Sequence, residues 1–133
     1  MFVPLGTSFT CTPVRVWDGD GPIWCREGPR IRLVGIAARE SDGQCRPGHP
    51  CPRANAEDAR AALVRLVGRQ TGQSPEGHAL VRGPRLQCRS YGSAGGARTA
   101  ARCNSSRRGD LSCAMLATGT VALWRRYWRG PPC

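Results

Sequence analysis

Hydrophobic and polar residues alternate over the first forty positions in the way that β-strands require. Residues 9–17 are rich in β-branched and aromatic side chains, and Pro13 among them indicates a sheet edge or a bulge. A DGDG turn over 18–21 leads to a second apolar segment, 23–25, and residues 30–36 alternate again. We expect three antiparallel strands here, because turns this short exclude crossover connections.

The period changes from that of a strand to that of a helix after a polar loop. Residues 41–53 contain Gly and Pro and are predicted to form this loop. Residues 54–67, ANAEDARAALVRLV, place their apolar side chains on one helical face. Asn55 is a suitable N-cap and Gly68 a natural end. The segment is the clearest helix of the chain.

Short strands and Gly-rich breaks fill the second half of the chain. We predict a linker over 69–77, two strands over 79–82 and 86–89, and a flexible turn over 90–97. A third strand over 98–103, a short helix over 110–118 and an apolar segment over 121–124 follow. Asp110 is the expected N-cap of the short helix, and Gly119 its end. This order favours an α+β fold, mainly β, built as a small barrel with two helices rather than as a parallel sheet.

Length and hydropathy indicate one domain over residues 1–133, with its core at about 9–128 and a short tail at 129–133. No apolar run is long enough to cross a membrane. The first eight residues are too short and too uncharged for a signal peptide, so we expect either a protein that stays in the cell or a leader upstream of this start. We expect a monomer whose basic aromatic end packs against the barrel.

The net charge is +11, and all 20 basic residues are arginines. A basic surface attracts polyanions, nucleic acid first and anionic membrane second. Arginine also binds phosphate in a bidentate way. GC-rich codon usage, which replaces Lys by Arg throughout a proteome, is the competing explanation of the missing lysine.

Eight cysteines favour a disulfide framework and an oxidising compartment, either the periplasm or the cell exterior. Eight cysteines allow 105 connectivities, which the sequence alone does not resolve. The spacing favours three pairs: Cys11 with Cys25, Cys45 with Cys51, and Cys88 with Cys103. Zinc bound by Cys45, His49 and Cys51 is the alternative, although these residues lack the C-x2-C pairs of structural zinc sites.

Four charged side chains are candidates for one site. Asp18 and Asp20 lie in the turn at the end of one strand, Glu40 follows the end of another, and Arg32 lies within it. Cleavage of a phosphodiester requires an activated water, a cation near the developing charge, and donors to the phosphate oxygens. If the strands are neighbours, carboxylates and a guanidinium meet at one end of the sheet.

The order of these motifs resembles the thermonuclease family, the staphylococcal-nuclease-like proteins. The similar stretches are VRVWDGD at 14–20, RIRLVGI at 30–36, Glu40, the helix from Ala54, YG at 91–92, DLSCAMLATG at 110–119, and Arg126 with Tyr127. The resemblance covers about residues 10–128. It implies a five-stranded OB-type barrel that cleaves DNA and RNA with calcium.

Transfer of the family's site to this chain is incomplete. The resemblance implies that Asp20 binds calcium, Arg32 contacts the phosphate and Glu40 acts on the attacking water. The family's second metal-binding aspartate falls on Ala37, so one direct carboxylate ligand is lost. The family's arginine after Tyr-Gly falls on Ser93.

Replacements for the two lost side chains are available nearby. If SAGGA at 93–97 is an insertion, Arg98 begins the next strand in the role of the missing arginine. Asp42 and Asp18 are weaker substitutes for the lost metal ligand. Arg39, where the family has proline, could instead neutralise the charge that calcium handles, as would suit a site that binds phosphate without cleavage.

These observations lead to three hypotheses. The first is a calcium-dependent nuclease of DNA or RNA, with Asp20 on the metal, Glu40 on the water, and Arg32 with Arg98 on the phosphate. The second is a degenerate OB-fold module that binds nucleic acid or another polyanion without cleavage. The third is an exported, disulfide-stapled structural protein. A pocket shared by Asp20 and Glu40 and completed by another carboxylate would favour the enzyme. A pocket filled by Arg39 would favour the binding module.

Overall fold

The protein is α+β and mainly β, as the pattern predicts. The structure, a computed structural model, describes all residues from 1 to 133. Strands β1 to β5 span Ser8–Cys11, Pro13–Asp18, Gly21–Cys25, Arg30–Leu33 and Ile36–Ala37. Helix α1 spans Ala56–Val67, and β6 to β10 then span Arg69–Gln73, Ala79–Arg82, Leu86–Ser93, Arg98–Ser105 and Gly109–Asp110. Helix α2 spans Leu111–Thr118, β11 spans Ala122–Leu123, and a 3-10 helix spans Arg125–Tyr127.

Nine of the strands form one mixed sheet. Its hydrogen-bonded order is β1-β8-β9-β4-β3-β2-β7-β6, with β10 paired to β9, and β5 and β11 form a separate pair. All contacts between strands are antiparallel except that of β4 with β9. That parallel pair joins the first half of the chain to the second.

The sheet is open, so the prediction of a closed five-stranded barrel is corrected. Residues 83–85 join β7 to β8, and an extended chain lets Arg82 and Leu86 lie at most about 14 Å apart. A flat sheet in the observed order would separate these two strands by about 24 Å. The sheet is therefore strongly curled, but β7 and β8 form no hydrogen-bonded ladder with each other, and the barrel is not closed.

The core lies between the curled sheet and the two helices. A cluster of 22 buried hydrophobic residues includes the inward side chains of most strands and one face of α1. Ala59, Leu63 and Val67 are at most 1% exposed. The predicted caps are confirmed: Asn55 accepts a hydrogen bond from the Asp58 N–H, and Asp110 caps α2 by accepting one from the Cys113 N–H. Periodicity and caps in the sequence therefore located α1, and the caps located α2.

Four local predictions are wrong. The strand expected over 9–17 is interrupted at Thr12, which separates β1 from β2, and the turn expected over 90–97 is shorter because β8 extends to Ser93. Residues 69–77, expected to be a linker, contain β6, which is polar and exposed and is held by hydrogen bonds to β7 rather than by burial. The strand expected over 30–36 is split at Val34 and Gly35. Gly35 has a φ of 76°, and the indole of Trp128 occupies the space that its Cβ would need.

Four disulfides are formed and no free cysteine remains. The three pairs that the spacing favours are confirmed. The zinc alternative is wrong, because Cys45 and Cys51 are bonded to each other. The fourth bond joins Cys113 in α2 to Cys133 at the end of the chain.

The basic aromatic end packs against the sheet, as predicted. The Arg102 guanidinium donates to the carbonyls of Arg129 and Pro131 and lies 4.5 Å from the centre of a Trp128 ring. Neither helix is long and apolar enough to cross a membrane.

Candidate functional site

The DGD turn lies between β2 and β3 and is pressed against α1. A Cβ at Gly19 would lie 2.5 Å from the Cβ of Ala59, closer than two carbon atoms can approach. Glycine is therefore required for the turn to lie this near the helix. Its two neighbours, Asp18 and Asp20, are carried to the same end of the sheet.

The Asp20 side chain is held by two groups, one in β4 and one directly after β5. Its Oδ2 accepts hydrogen bonds from Nη2 of Arg32 and from the backbone N–H of Ala38, each at 3.1 Å. The Arg32 side chain is 16% exposed and that of Asp20 is 14% exposed. Arg32 also donates from Nη1 to the Leu33 carbonyl. A buried pair of this kind fixes the orientation of both side chains, since separation of the two would leave a buried charge without a partner.

Glu40 follows β5 at the start of the loop that the Cys45–Cys51 disulfide closes. Its Oε1 lies 3.3 Å from Nε of Arg46, within that loop. The Arg46 side chain is 64% exposed, so the pair is in contact with solvent and is weak. None of the other ion pairs of the protein includes Glu40.

Arg39 points away from these carboxylates. Its Nε donates to the Pro52 carbonyl and its Nη1 donates to the Gly43 carbonyl. Arg39 therefore fastens the two ends of the loop that follows Glu40. The pocket filled by Arg39, which would have favoured the binding module, is not observed.

Arg98 begins β9, as expected if 93–97 is an insertion. The parallel register places it beside Arg30, and Ala100 beside Arg32. The Arg98 guanidinium donates to the carbonyls of Ala94 and Gly95, which belong to the preceding turn. These bonds hold the side chain at the same end of the sheet as Arg32.

One cavity of about 230 Å³ brings most of the predicted residues together. Asp18, Asp20, Arg32, Glu40 and Arg98 all line it. It is completed by residues that the sequence reasoning assigned elsewhere or passed over: Trp17, Gly21, Pro22, Arg46 and His49. We call it the phosphate-site cavity, because it contains Arg32 and Arg98, the phosphate contacts expected from the resemblance.

Asp42 is the predicted site residue that does not reach this cavity. It is exposed, and its Oδ1 accepts a hydrogen bond from the Gln44 N–H within the loop. Arg46 and His49 were the missed residues. Their signal was the CRPGHPC sequence itself, because a short disulfide loop holds its side chains in one place.

Burial raises the pKa of both aspartates of the cavity, and neighbouring carboxylates add to the effect. Burial, and then the negative charges of Asp20 and Glu40, raise the pKa of Asp18 to about 7. Burial also raises the pKa of Asp20, while the Arg32 guanidinium and the Ala38 N–H act in the opposite direction. A cation or a second proton would relieve this repulsion.

No group of three or more His, Cys, Asp or Glu side chains is already arranged to hold a metal ion. Ala37, where a further carboxylate was expected by resemblance, is fully buried and pairs with Ala122 across β5 and β11. The carboxylate oxygens of Asp18 and Asp20 are nevertheless the hard donors that calcium prefers.

A larger cavity of about 430 Å³ adjoins the first and shares Arg32, Arg46, His49 and Arg98 with it. Its other walls combine small and aliphatic residues with three aromatic residues and one arginine, namely Tyr91, Trp124, Tyr127 and Arg129. The rings of Trp124 and Tyr127 lie 4.7 Å apart and edge to face. Flat apolar surfaces beside guanidinium groups suit a nucleobase attached to a bound phosphate.

No protein-family model, curated protein or solved structure matches the chain. The resemblance to the thermonuclease family therefore stays a prediction from the motifs.

Proposed function

We propose that the protein binds a phosphodiester of DNA or RNA in the phosphate-site cavity and hydrolyses it. The observation that carries the proposal is the convergence of Asp18, Asp20 and Glu40 with Arg32 and Arg98 on one cavity. Residues up to 80 positions apart contribute, and each belongs to a chemical type that phosphodiester cleavage needs.

The two arginines orient the substrate. Arg32 and Arg98 place guanidinium donors on the same cavity, and planar guanidinium groups match phosphate oxygens in geometry and charge. Arg32 is already fixed by Asp20, so it loses little conformational entropy when it binds. The adjoining aromatic cavity would hold the base of the same nucleotide.

Glu40 is the proposed general base. Its carboxylate lines the cavity, where it can accept a proton from a water that attacks phosphorus. Because the Arg46 pair is solvent-exposed, it can exchange partners when a phosphate arrives.

Asp18 and Asp20 are the residues that would hold calcium. Both present carboxylate oxygens to the cavity. Burial first, and then the charges of Asp20 and Glu40, raise the pKa of Asp18, so a cation bound there would stabilise its charged form. Calcium, when bound, supplies positive charge to the phosphate oxygens.

One observation favours the second candidate function, binding of nucleic acid without cleavage. Ala37 contributes no carboxylate, and Arg46 brings a positive charge to the Glu40 side of the cavity. A site with fewer acidic ligands and more guanidinium groups holds a phosphate without requiring a metal.

Cleavage of single-stranded DNA by the oxidised protein, with calcium and with a chelator, tests the proposal. We expect calcium-dependent cleavage that Glu40→Gln reduces by about a hundredfold to ten-thousandfold, the usual contribution of a general base. Glu76→Gln is the matched control, since Glu76 is also a glutamate in an exposed ion pair, with Arg15, but does not line the cavity.

The other outcomes separate the remaining hypotheses. Salt-sensitive DNA binding without cleavage under any metal would overturn the nuclease and support the binding module. Absence of both activities would leave the disulfide-stapled structural protein. Equal losses in Glu40→Gln and Glu76→Gln would remove Glu40 from the mechanism.

A further inference from the structure

A second basic cavity lies at the C-terminal ends of α1 and β9. It has a volume of about 430 Å³, and five of its eleven lining residues are arginines: Arg65, Arg69, Arg82, Arg107 and Arg108. No aspartate or glutamate lines it, and none of the four salt bridges of the protein includes any of the five. We call it the arginine cavity.

The fold holds this charge together against repulsion. Arg69 and Arg82 are directly opposite each other in the β6–β7 pair, and like charges in that position destabilise a sheet. Gly68 allows the crowding, because any Cβ there would collide with the Arg82 carbonyl. An anion bound between the guanidinium groups would relieve the repulsion.

The remaining two arginines are presented by a fixed turn. Ser105, which is 6% exposed, accepts hydrogen bonds at its Oγ from the backbone N–H groups of Arg107 and Arg108. The turn therefore has a defined backbone, and its two exposed side chains stay on the rim of the cavity.

The C-terminal end of α1 opposes this charge only in part. A helix C-terminus carries about half a negative charge, which Arg65 and Arg69 together more than offset. Helix stabilisation therefore does not account for Arg82, Arg107 and Arg108, which come from other elements.

We propose that the arginine cavity binds backbone phosphates of the same nucleic acid strand that enters the phosphate-site cavity. The proposal rests on the proposed function. Arg98 at the first position of β9 lines the phosphate-site cavity, and Ser105 at its last position lines the arginine cavity. An eight-residue strand spans about 23 Å, so only a chain of several nucleotides contacts both.

The surroundings favour nucleic acid over a membrane surface. Binding to an anionic bilayer combines basic residues with apolar side chains that enter it. The large hydrophobic side chains that are exposed, Met1, Phe2, Leu5, Leu123 and Tyr127, all lie outside the arginine cavity. The cavity therefore offers charge without an apolar anchor.

Binding of oligothymidylates by fluorescence anisotropy, with a chelator present, tests this inference. The ligands are a trithymidylate, which reaches one cavity, and an oligomer of about 16 nucleotides, the upper end of the site sizes seen on small barrel-like folds. The variant is Arg107→Gln/Arg108→Gln. The control, Arg26→Gln/Arg89→Gln, lowers the net charge equally at exposed positions outside both cavities.

We expect the test variant to bind the long oligomer more weakly and to bind trithymidylate like the wild type. The slope of log K against log salt for the long oligomer should fall in magnitude by about 1.4, since each phosphate contact with a single strand contributes about 0.7. The control variant should change the slope by less than half of this.

Three results would overturn the arginine cavity as a nucleic acid site. The first is an equal loss of affinity for the long oligomer in the test and control variants. The second is an equal loss of affinity for the short and long ligands in the test variant. The third is binding to phosphatidylglycerol vesicles that depends on Arg107 and Arg108, while binding to the oligomer does not. Because binding is measured without cleavage, this experiment tests the arginine cavity even if the protein proves not to be a nuclease.

Discussion

Two aspartates separated by a single glycine have different surroundings in this protein. Asp20 is paired with Arg32, whereas none of the four salt bridges includes Asp18. Asp18 is 6% exposed and faces two other carboxylates, so its charged form is disfavoured. The consequence is a pH dependence of stability to which Asp18 contributes.

The sign of that dependence follows from the raised pKa. Asp18 titrates near 3.8 in the unfolded chain and at about 7 in the folded protein. Its protonated form stabilises the fold below about pH 4, and this contribution is lost as the pH rises to about 7. We expect Asp18→Asn to unfold at a higher temperature than the wild type at pH 8 and at a similar temperature at pH 3.5, measured by circular dichroism.

Asp42→Asn is the control for this measurement, because Asp42 is exposed and either side chain can accept the hydrogen bond from Gln44. A difference between wild type and Asp18→Asn that does not change with pH would contradict the assignment.

At the scale of elements, the site depends on the approach of the β2–β3 turn to α1. Ala59 is completely buried, and its Cβ faces Gly19 with no room for a second methyl group. Helix and turn therefore move together, and the position of the two aspartates depends on a contact outside the cavity.

We expect Gly19→Ala to lower the free energy of unfolding by about 1–3 kcal/mol, the usual cost of overpacking, and to weaken DNA binding at the phosphate-site cavity. Chemical denaturation and anisotropy with trithymidylate measure the two effects. Gly72→Ala is the matched control, because its Cβ would make an ordinary 3.7 Å contact with Leu80. If Gly19→Ala behaved like Gly72→Ala in both assays, the turn would not be constrained by the helix.

At the scale of the whole molecule, four disulfides cross-link the chain, and only that of Cys88 with Cys103 joins two strands that the sheet already pairs. The bonds close segments of 6 to 20 residues and fasten both the loop above the site and the C-terminal tail. Each bond of this size contributes about 2–3 kcal/mol through the unfolded chain. Together they approach about 10 kcal/mol, within the range of the whole stability of a domain.

We therefore expect reduction with dithiothreitol to remove the folded state at 37 °C, seen as loss of the near-ultraviolet circular dichroism of the tryptophans. A scan of the oxidised protein under the same conditions is the comparison. Retention of the same melting temperature after complete reduction, verified by thiol titration, would show that the core is sufficient without the disulfides.

The elements and much of the site were predictable from the sequence because their signals are local. Helix periodicity and caps at Asn55 and Asp110 are set within a few residues, and both were confirmed. Three disulfides were predictable because each closes a short loop or joins the two sides of a turn. The nucleic acid partner, the calcium ion and the monomeric state stay predictions.

Only the tertiary structure decided how these parts meet. The parallel pairing of β4 with β9 places Arg98 at the same end of the sheet as Arg32, and residues so distant in sequence carry no pattern that reveals their pairing. The disulfide of Cys113 with Cys133 depends on where the tail crosses α2. The pKa of Asp18 depends on burial and on charges from other segments. The sequence thus determined the local conformations and the chemical types, while the long-range contacts determined the distances and protonation on which the chemistry depends.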